Sequence, residues 1–244
     1  MKNGQGDRHA KCQPHLQHTG EAATVSERAA QRSMLWGAIA EALSYPDQEL
    51  LLAIREGTVA ATLQRLLEKS ELGLLEDIEW VALTDGGIVD DDLATEYTRL
   101  FDTGANKSAC PLYGGMHISP QMKAMEEVVR FYSHFGLTIT GDERETPDHI
   151  ITELEFLHFL AYGESEKAYL KEETSNYERA QRDFNARHLG RWIPRARDRL
   201  STANPLRYYS ELFRLLDECL KADLDRLQSK HGRASLTPAS SQML

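Results

Sequence analysis

Four groups of residues have types and spacings suited to chemistry. Glu155-Phe156-Leu157-His158 sets a carboxylate and an imidazole three positions apart in an apolar, helical stretch. That spacing puts both on one helix face, and two such pairs with two more glutamates build the di-iron centre of ferritin-like bundles. This sequence holds a single pair. A di-metal carboxylate enzyme is therefore an alternative, and a Glu and a His on the semi-polar edge of a core helix is the simpler reading. His9, Cys12, His15 and His18 recur every third residue. Their ligand types suit zinc or copper, but the surrounding Gly/Gln-rich stretch offers no fold to fix their geometry. Cys110 stands beside Pro111 with His117 near in sequence. A nucleophilic thiol needs a base or a helix N-terminus to lower its pKa, and no third member or oxyanion hole accompanies it.

Asp148 and His149 form the fourth group. They open an apolar helix, with Pro147 just before them and Thr146 as a possible cap. An aspartate in a first turn is favoured by the helix dipole alone. The same position, after the charged stretch GDERET, would also expose a carboxylate and an imidazole at the edge of the core. An exposed carboxylate can pair bidentately with an arginine. Joined by Tyr97, Leu100, Phe101 and Tyr113, it would make a groove for a peptide carrying arginine and apolar residues. No phosphate loop, dinucleotide fingerprint or nucleophile elbow is present. The expectation is a protein that is not an enzyme, with no cofactor and no metal.

The elements that must position these residues read as helices. Ser26 is a candidate cap for a helix to about Ser44, with Met34, Leu35, Ala38, Ile39, Ala42 and Leu43 at spacings of three and four. Pro46 stops it and Asp47 caps a short helix over 48–55; a third covers about 59–69. Asp91 and Asp92 open a helix through Glu96, Tyr97, Leu100 and Phe101. A loop of about 18 residues follows, and loops of that length are usually functional or mobile. Ser119 and Pro120 start the next helix, with Met122, Met125, Val128, Val129 and Tyr132 apolar, ending at Gly136. The helix from Asp148 is apolar nearly all round, the mark of a central element, and is expected to end at Gly163. Polar helical sequence, then Trp192, Ile193 and Pro194, precede a last helix from about Pro205 to Leu227. The brief GLTIT at 136–140 is the sole strand-like stretch. The fold class is all-α, a single bundle of about nine or ten helices over residues 26–230, with a disordered leader at 1–25 and a flexible tail at 231–244.

Bulk properties narrow the partners. The 244 residues are 41% hydrophobic with a formal net charge of -10. A general nucleic-acid binder would need the opposite sign, whereas an arginine-containing peptide is steered toward an acidic surface. The scattered cysteines Cys12, Cys110 and Cys219 make a poor disulfide framework and fit a reducing compartment. With no membrane-length apolar run and no signal-type N-terminus, the expected location is the cytoplasm.

Three landmarks carry a resemblance. The first is Glu96-Tyr97-Thr98-Arg99-Leu100-Phe101, followed by Pro111-Leu112-Tyr113-Gly114. The second is Glu145-Thr146-Pro147-Asp148-His149 running into Glu153-Leu154-Glu155-Phe156-Leu157. The third is His188-Leu189-Gly190-Arg191-Trp192-Ile193-Pro194, followed by the helix of Tyr208, Tyr209 and Leu216. In order and spacing, over about residues 34–225, the sequence resembles the TorD/DmsD/NarJ group of molybdenum-oxidoreductase maturation chaperones. The loop and the DERETPDHI segment are most similar to the branch serving dimethylsulfide, ethylbenzene, chlorate or selenate oxidoreductases. The resemblance implies an all-α fold and no catalysis. It implies binding of the twin-arginine signal peptide of a molybdenum oxidoreductase catalytic subunit, which is held until its cofactor is inserted and export proceeds. Carried over by position, the signal-peptide-binding residues are Tyr97, Leu100, Phe101, Tyr113, Asp148 and His149. Tyr97 and Tyr113 stand where some relatives have tryptophan, and Tyr-Gly-Gly replaces a common Tyr-Gly-Ser. A molybdopterin- or GTP-binding carrier is the remaining alternative, opposed by the acidic balance and the missing phosphate loop.

Overall fold

The computed structural model describes residues 19–84, 90–102, 108–138 and 146–236, the side chains of 19–24, 90 and 91 apart. Glu145, the leader histidines with Cys12, and residues 139–140 of the strand-like stretch lie outside the described residues. Nine α-helices are described: α1 Thr19–Ala42, α2 Gln48–Arg55, α3 Thr58–Ser70, α4 Asp90–Phe101, α5 Gln121–His134, α6 Ile150–Tyr169, α7 Ser175–Arg187, α8 Leu189–Thr202 and α9 Arg207–His231. Among the described residues there is no named strand, and no helix is long and apolar enough to cross a membrane. The all-α expectation holds.

The central element is α6, as its all-round apolarity requires. Ile150, Leu154, Phe156, Leu157, Leu160 and Ala161 are all buried. α1 packs along it more extensively than any other pair of helices does, through a polar seam inside the apolar contact. Ser26 Oγ donates to the Ser165 carbonyl at 3.0 Å, and Ser33 Oγ donates to the His158 carbonyl at 3.0 Å. Arg32 Nη2 donates to Glu164 at 2.7 Å, both side chains being almost fully buried. Gln181 of α7 donates to the second Glu164 oxygen at 2.8 Å. Apolar side chains alone tolerate a sliding helix, whereas these pairs satisfy one another in a single register.

Several sequence expectations change at the helix ends. α1 begins at Thr19, so Ser26 does not cap it but sits inside it, bonded to α6. Asp47 does cap α2, accepting from the Leu50 N–H. α5 begins one residue beyond Pro120, which takes the cap position with no side chain capping the helix. Gly163 does not end α6, which continues to Tyr169. A Cβ there would lie 2.2 Å from Tyr177 Cε1, so this glycine admits the α7 ring. At the end of α9, Arg182 donates to the His231 carbonyl at 2.8 Å and Arg187 to the Ser235 carbonyl at 2.7 Å.

Candidate functional site

The segment before α6 is stitched to the loop that follows α4. Gly114 N–H donates to the Asp148 carbonyl and Ile150 N–H to the Leu112 carbonyl, each at 2.8 Å, forming an antiparallel bridge between Tyr113 and His149. The Tyr113 and His149 rings meet edge to face, 5.0 Å between centroids. The Asp148 carboxylate sits beneath this bridge. Its Oδ2 accepts the Gly115 N–H at 2.8 Å and its Oδ1 accepts the Thr146 hydroxyl at 2.6 Å.

Asp148 is therefore not the exposed carboxylate that the sequence suggests. It is 2% exposed, and both oxygens are engaged. It also lies outside the first turn of α6. His149 is the N-cap residue, 6% exposed, with Nδ1 accepting from the Ile151 N–H. Burial pushes the His149 imidazole down to about 4 even though Asp148 pulls it up, so the ring is neutral near pH 7.

α8 closes the assembly from the other side. Trp192 Nε1 donates to Glu153 Oε2 at 2.9 Å, and the His117 ring stacks on Trp192 at 5.3 Å. Arg195 donates to the His117 carbonyl at 2.9 Å. Tyr132 of α5 donates its hydroxyl to the Pro147 carbonyl at 2.9 Å. Burial, reinforced by Asp148, pushes the Glu153 carboxyl well above the ordinary carboxylate range despite the Trp192 N–H. The same burial pushes the Tyr132 phenol up. The loop, the α6 start and α8 thus form one hydrogen-bonded unit.

Tyr97, Leu100 and Phe101 belong to a different packing group. Leu100 is fully buried and Phe101 is 3% exposed, so neither presents a surface to a docked chain. Phe101 packs against Tyr209 and stacks on Phe213. Tyr97 is half-buried and packs edge to face on the exposed Tyr45, 5.5 Å between centroids. Leu100 anchors the loop through its carbonyl, which accepts the Cys110 N–H at 2.7 Å.

The other chemical candidates separate. Glu155 is exposed, while His158 Nδ1 lies 2.8 Å from the Ser33 carbonyl on α1. Among the described residues no three His, Cys, Asp or Glu side chains gather as metal ligands. Cys110 is buried, its thiol pushed up to about 12 by that burial, which leaves no reactive thiolate.

One surface feature was not specified by the sequence pattern. Val128 and Tyr132 of α5 point inward, but Met122 and Val129 are exposed. With Met125, Glu126, Arg130 and Pro147 they line an open groove of about 510 Å³. It runs beside the segment that Asp148 and Tyr132 hold in place. Periodicity marked these α5 positions as apolar without telling which of them face the core.

A family model described as the nitrate reductase delta subunit matches residues 57–198. The chain belongs to the nitrate reductase delta subunit family. The matched span contains the loop, the α6 start and Trp192, so the hydrogen-bonded unit lies wholly within the family's region. Among relatives, the chain is 35% identical over 156 residues to the selenate reductase assembly chaperone protein of Thauera selenatis, covering 61% of this chain and 79% of that one. It is 34% identical over 155 residues to the chlorate reductase assembly chaperone protein of Ideonella dechloratans, with the same coverage. The perchlorate reductase assembly chaperone protein of Dechloromonas aromatica (strain RCB) is 27% identical over 208 residues, 82% of this chain and 92% of that one. These relatives are named as assembly chaperones, not as catalytic enzymes, in agreement with the absence of catalytic motifs in the sequence.

Proposed function

We propose that the chain is a cytoplasmic, system-specific chaperone that binds the twin-arginine leader of a molybdenum oxidoreductase catalytic subunit and holds the apo-subunit until its cofactor is in place. The observation that carries this reading is the α5 groove beside the Tyr113–His149 bridge. Methionine side chains are flexible and polarizable, so Met122 and Met125 can accept apolar segments of varied sequence. Glu126 supplies a carboxylate at the groove for a leader arginine, and the acidic balance of the chain favours such a partner.

Within this reading the six residues named from sequence divide by role. Tyr113, half-buried on the loop bridged to the α6 start, is a contact residue, and Tyr97, half-buried in its separate packing group on α4, makes contact only with a leader that extends beyond the groove. Asp148 and His149 are positioning residues that fix the groove edge. Leu100 and Phe101 support the α4 end of the loop from within the core.

Titration of the full chain with a synthetic twin-arginine leader peptide tests this. Saturable binding is expected, weakened about tenfold or more by Met122→Lys or Val129→Lys, since a charge placed in an apolar contact forfeits burial of about 1.5–3 kcal/mol. Both positions are exposed in the free protein, so both variants should fold. Absence of leader binding would overturn the function, and binding indifferent to both substitutions would overturn the groove.

A further inference from the structure

Among the described residues that line the α5 groove, Glu126 is the one carboxylate and Arg130 the one other charge. Both are exposed, and neither makes an ion pair or side-chain hydrogen bond among the described residues. Neighbouring carboxylates are engaged elsewhere. Glu127, the next residue, holds Arg187 at 3.0 Å. Asp148 is 2% exposed with both oxygens bonded, and Glu153 is buried and accepts the Trp192 N–H. Among the described residues, a cation entering the groove therefore meets a single free carboxylate.

Arg130 follows Glu126 by four residues, about 6 Å further along the helix axis and on the same face. A carboxylate seats one guanidinium bidentately. A second guanidinium beside the first would meet the Arg130 charge with no further carboxylate to offset it. The geometry of a peptide acts in the same direction. Adjacent side chains of an extended chain point to opposite faces, and in a helix they are set about 100° apart. Two consecutive arginines thus do not both face one carboxylate.

We propose that the groove recognises one arginine of its partner's pair, through Glu126, and leaves the other in solvent, an inference that rests on leader binding at this groove. Glu126 is the whole of the arginine receptor, and Arg130 is the specificity-determining residue that limits it to one cation. The remaining affinity comes from apolar contact with Met122, Met125 and Val129.

Calorimetric titration of the full chain with synthetic twin-arginine leader peptides tests it, at about 0.15 M salt, where charges beyond about 8 Å are screened. The peptides are the parent leader, each form with one arginine replaced by glutamine, and the form with both replaced. Against the unsubstituted chain, replacing both arginines should weaken binding about fivefold, the size of one charge-assisted pair at an exposed site. Two independent receptors would multiply to about 25-fold. The Glu126→Gln protein should bind the parent leader about fivefold more weakly and be indifferent to replacing either arginine or both. Arg130→Gln removes the repulsion and should tighten the parent leader about twofold, leaving the doubly replaced peptide unchanged. Both positions are exposed, so thermal melts of the two variants should match the parent protein. Losses that multiply across the two arginines, no loss when both are replaced, or an arginine dependence that survives Glu126→Gln would overturn the one-arginine recognition while leader binding stands. Absence of saturable binding of the parent leader would overturn leader binding itself and this recognition with it.

Discussion

Gly115 donates its backbone N–H to the Asp148 carboxylate, and a Cβ on Gly115 would stand 2.8 Å from that same oxygen and 2.5 Å from Gln121 Cγ. The glycine is there because the bond is. Gly115→Ala and Asp148→Ala should therefore act alike, each costing about 1–3 kcal/mol by breaking a buried charge-assisted hydrogen bond. Urea denaturation reads the loss. Hydrogen exchange should show faster exchange at the Gly114 and Gly115 amides in both. Asp148→Asn keeps an acceptor and should lose less.

Arg32 and Glu164 are a buried pair, with Asp223 4.0 Å from the Arg32 guanidinium. Arg32→Met leaves these carboxylates short of a cation and should cost about 3–5 kcal/mol. Replacing Arg32 and Glu164 together by Met and Leu should recover much of that in equilibrium unfolding. If the double variant were no better than the single one, the pair would not be what holds α1 to α6.

The two buried histidines and Glu153 give stability a defined pH dependence. His149 and His188 are pushed down to about 4 and about 3. Between the ordinary histidine value near 6.5 and those values the unfolded chain binds more protons, so stability falls as pH drops through that window. Each contributes at most a few kcal/mol, at about 1.4 kcal/mol per unit. Glu153 is shifted the other way: the folded chain holds its proton more tightly, so its contribution is lost as pH rises above the ordinary carboxylate value. Glu153→Gln keeps an acceptor for Trp192 and should flatten the alkaline side of a Tm-against-pH curve. His149→Asn should soften the acid side.

Gly163 admits the Tyr177 ring into the α6 backbone. Gly163→Ala gains about 1 kcal/mol of helix propensity but must displace that ring, an overpacking cost of about 1–3 kcal/mol. The net effect in chemical denaturation should be destabilising. Gly163→Ala combined with Tyr177→Leu should restore more stability than Tyr177→Leu alone predicts.

Periodicity carried the fold. The apolar circumference of Ile150 to Leu160 marked α6 as central, and Asp47 marked the start of α2, because burial and capping act over a few neighbouring residues. Gly163 misled because its reason is Tyr177, on another helix. Ser26 misled because its partner is Ser165, on another helix again. At the candidate site, the three segments that meet were visible as separate motifs. Their pairing was not, since the Leu112–Ile150 and Glu153–Trp192 bonds join residues 38 and 39 positions apart. The exposure of Asp148 was misjudged for the same reason: the amide that covers it comes from Gly115.

α5 separates the apolar groove from a charged flank, with Met122, Met125 and Val129 on one side and Lys123 and Glu127 on the other. Between those flanks the helix is held by its inward face, where Val128 and Tyr132 are buried and the Tyr132 hydroxyl reaches the Pro147 carbonyl. Truncating either of these two side chains should therefore disturb both flanks at once, whereas a substitution confined to one flank should leave the other as it is.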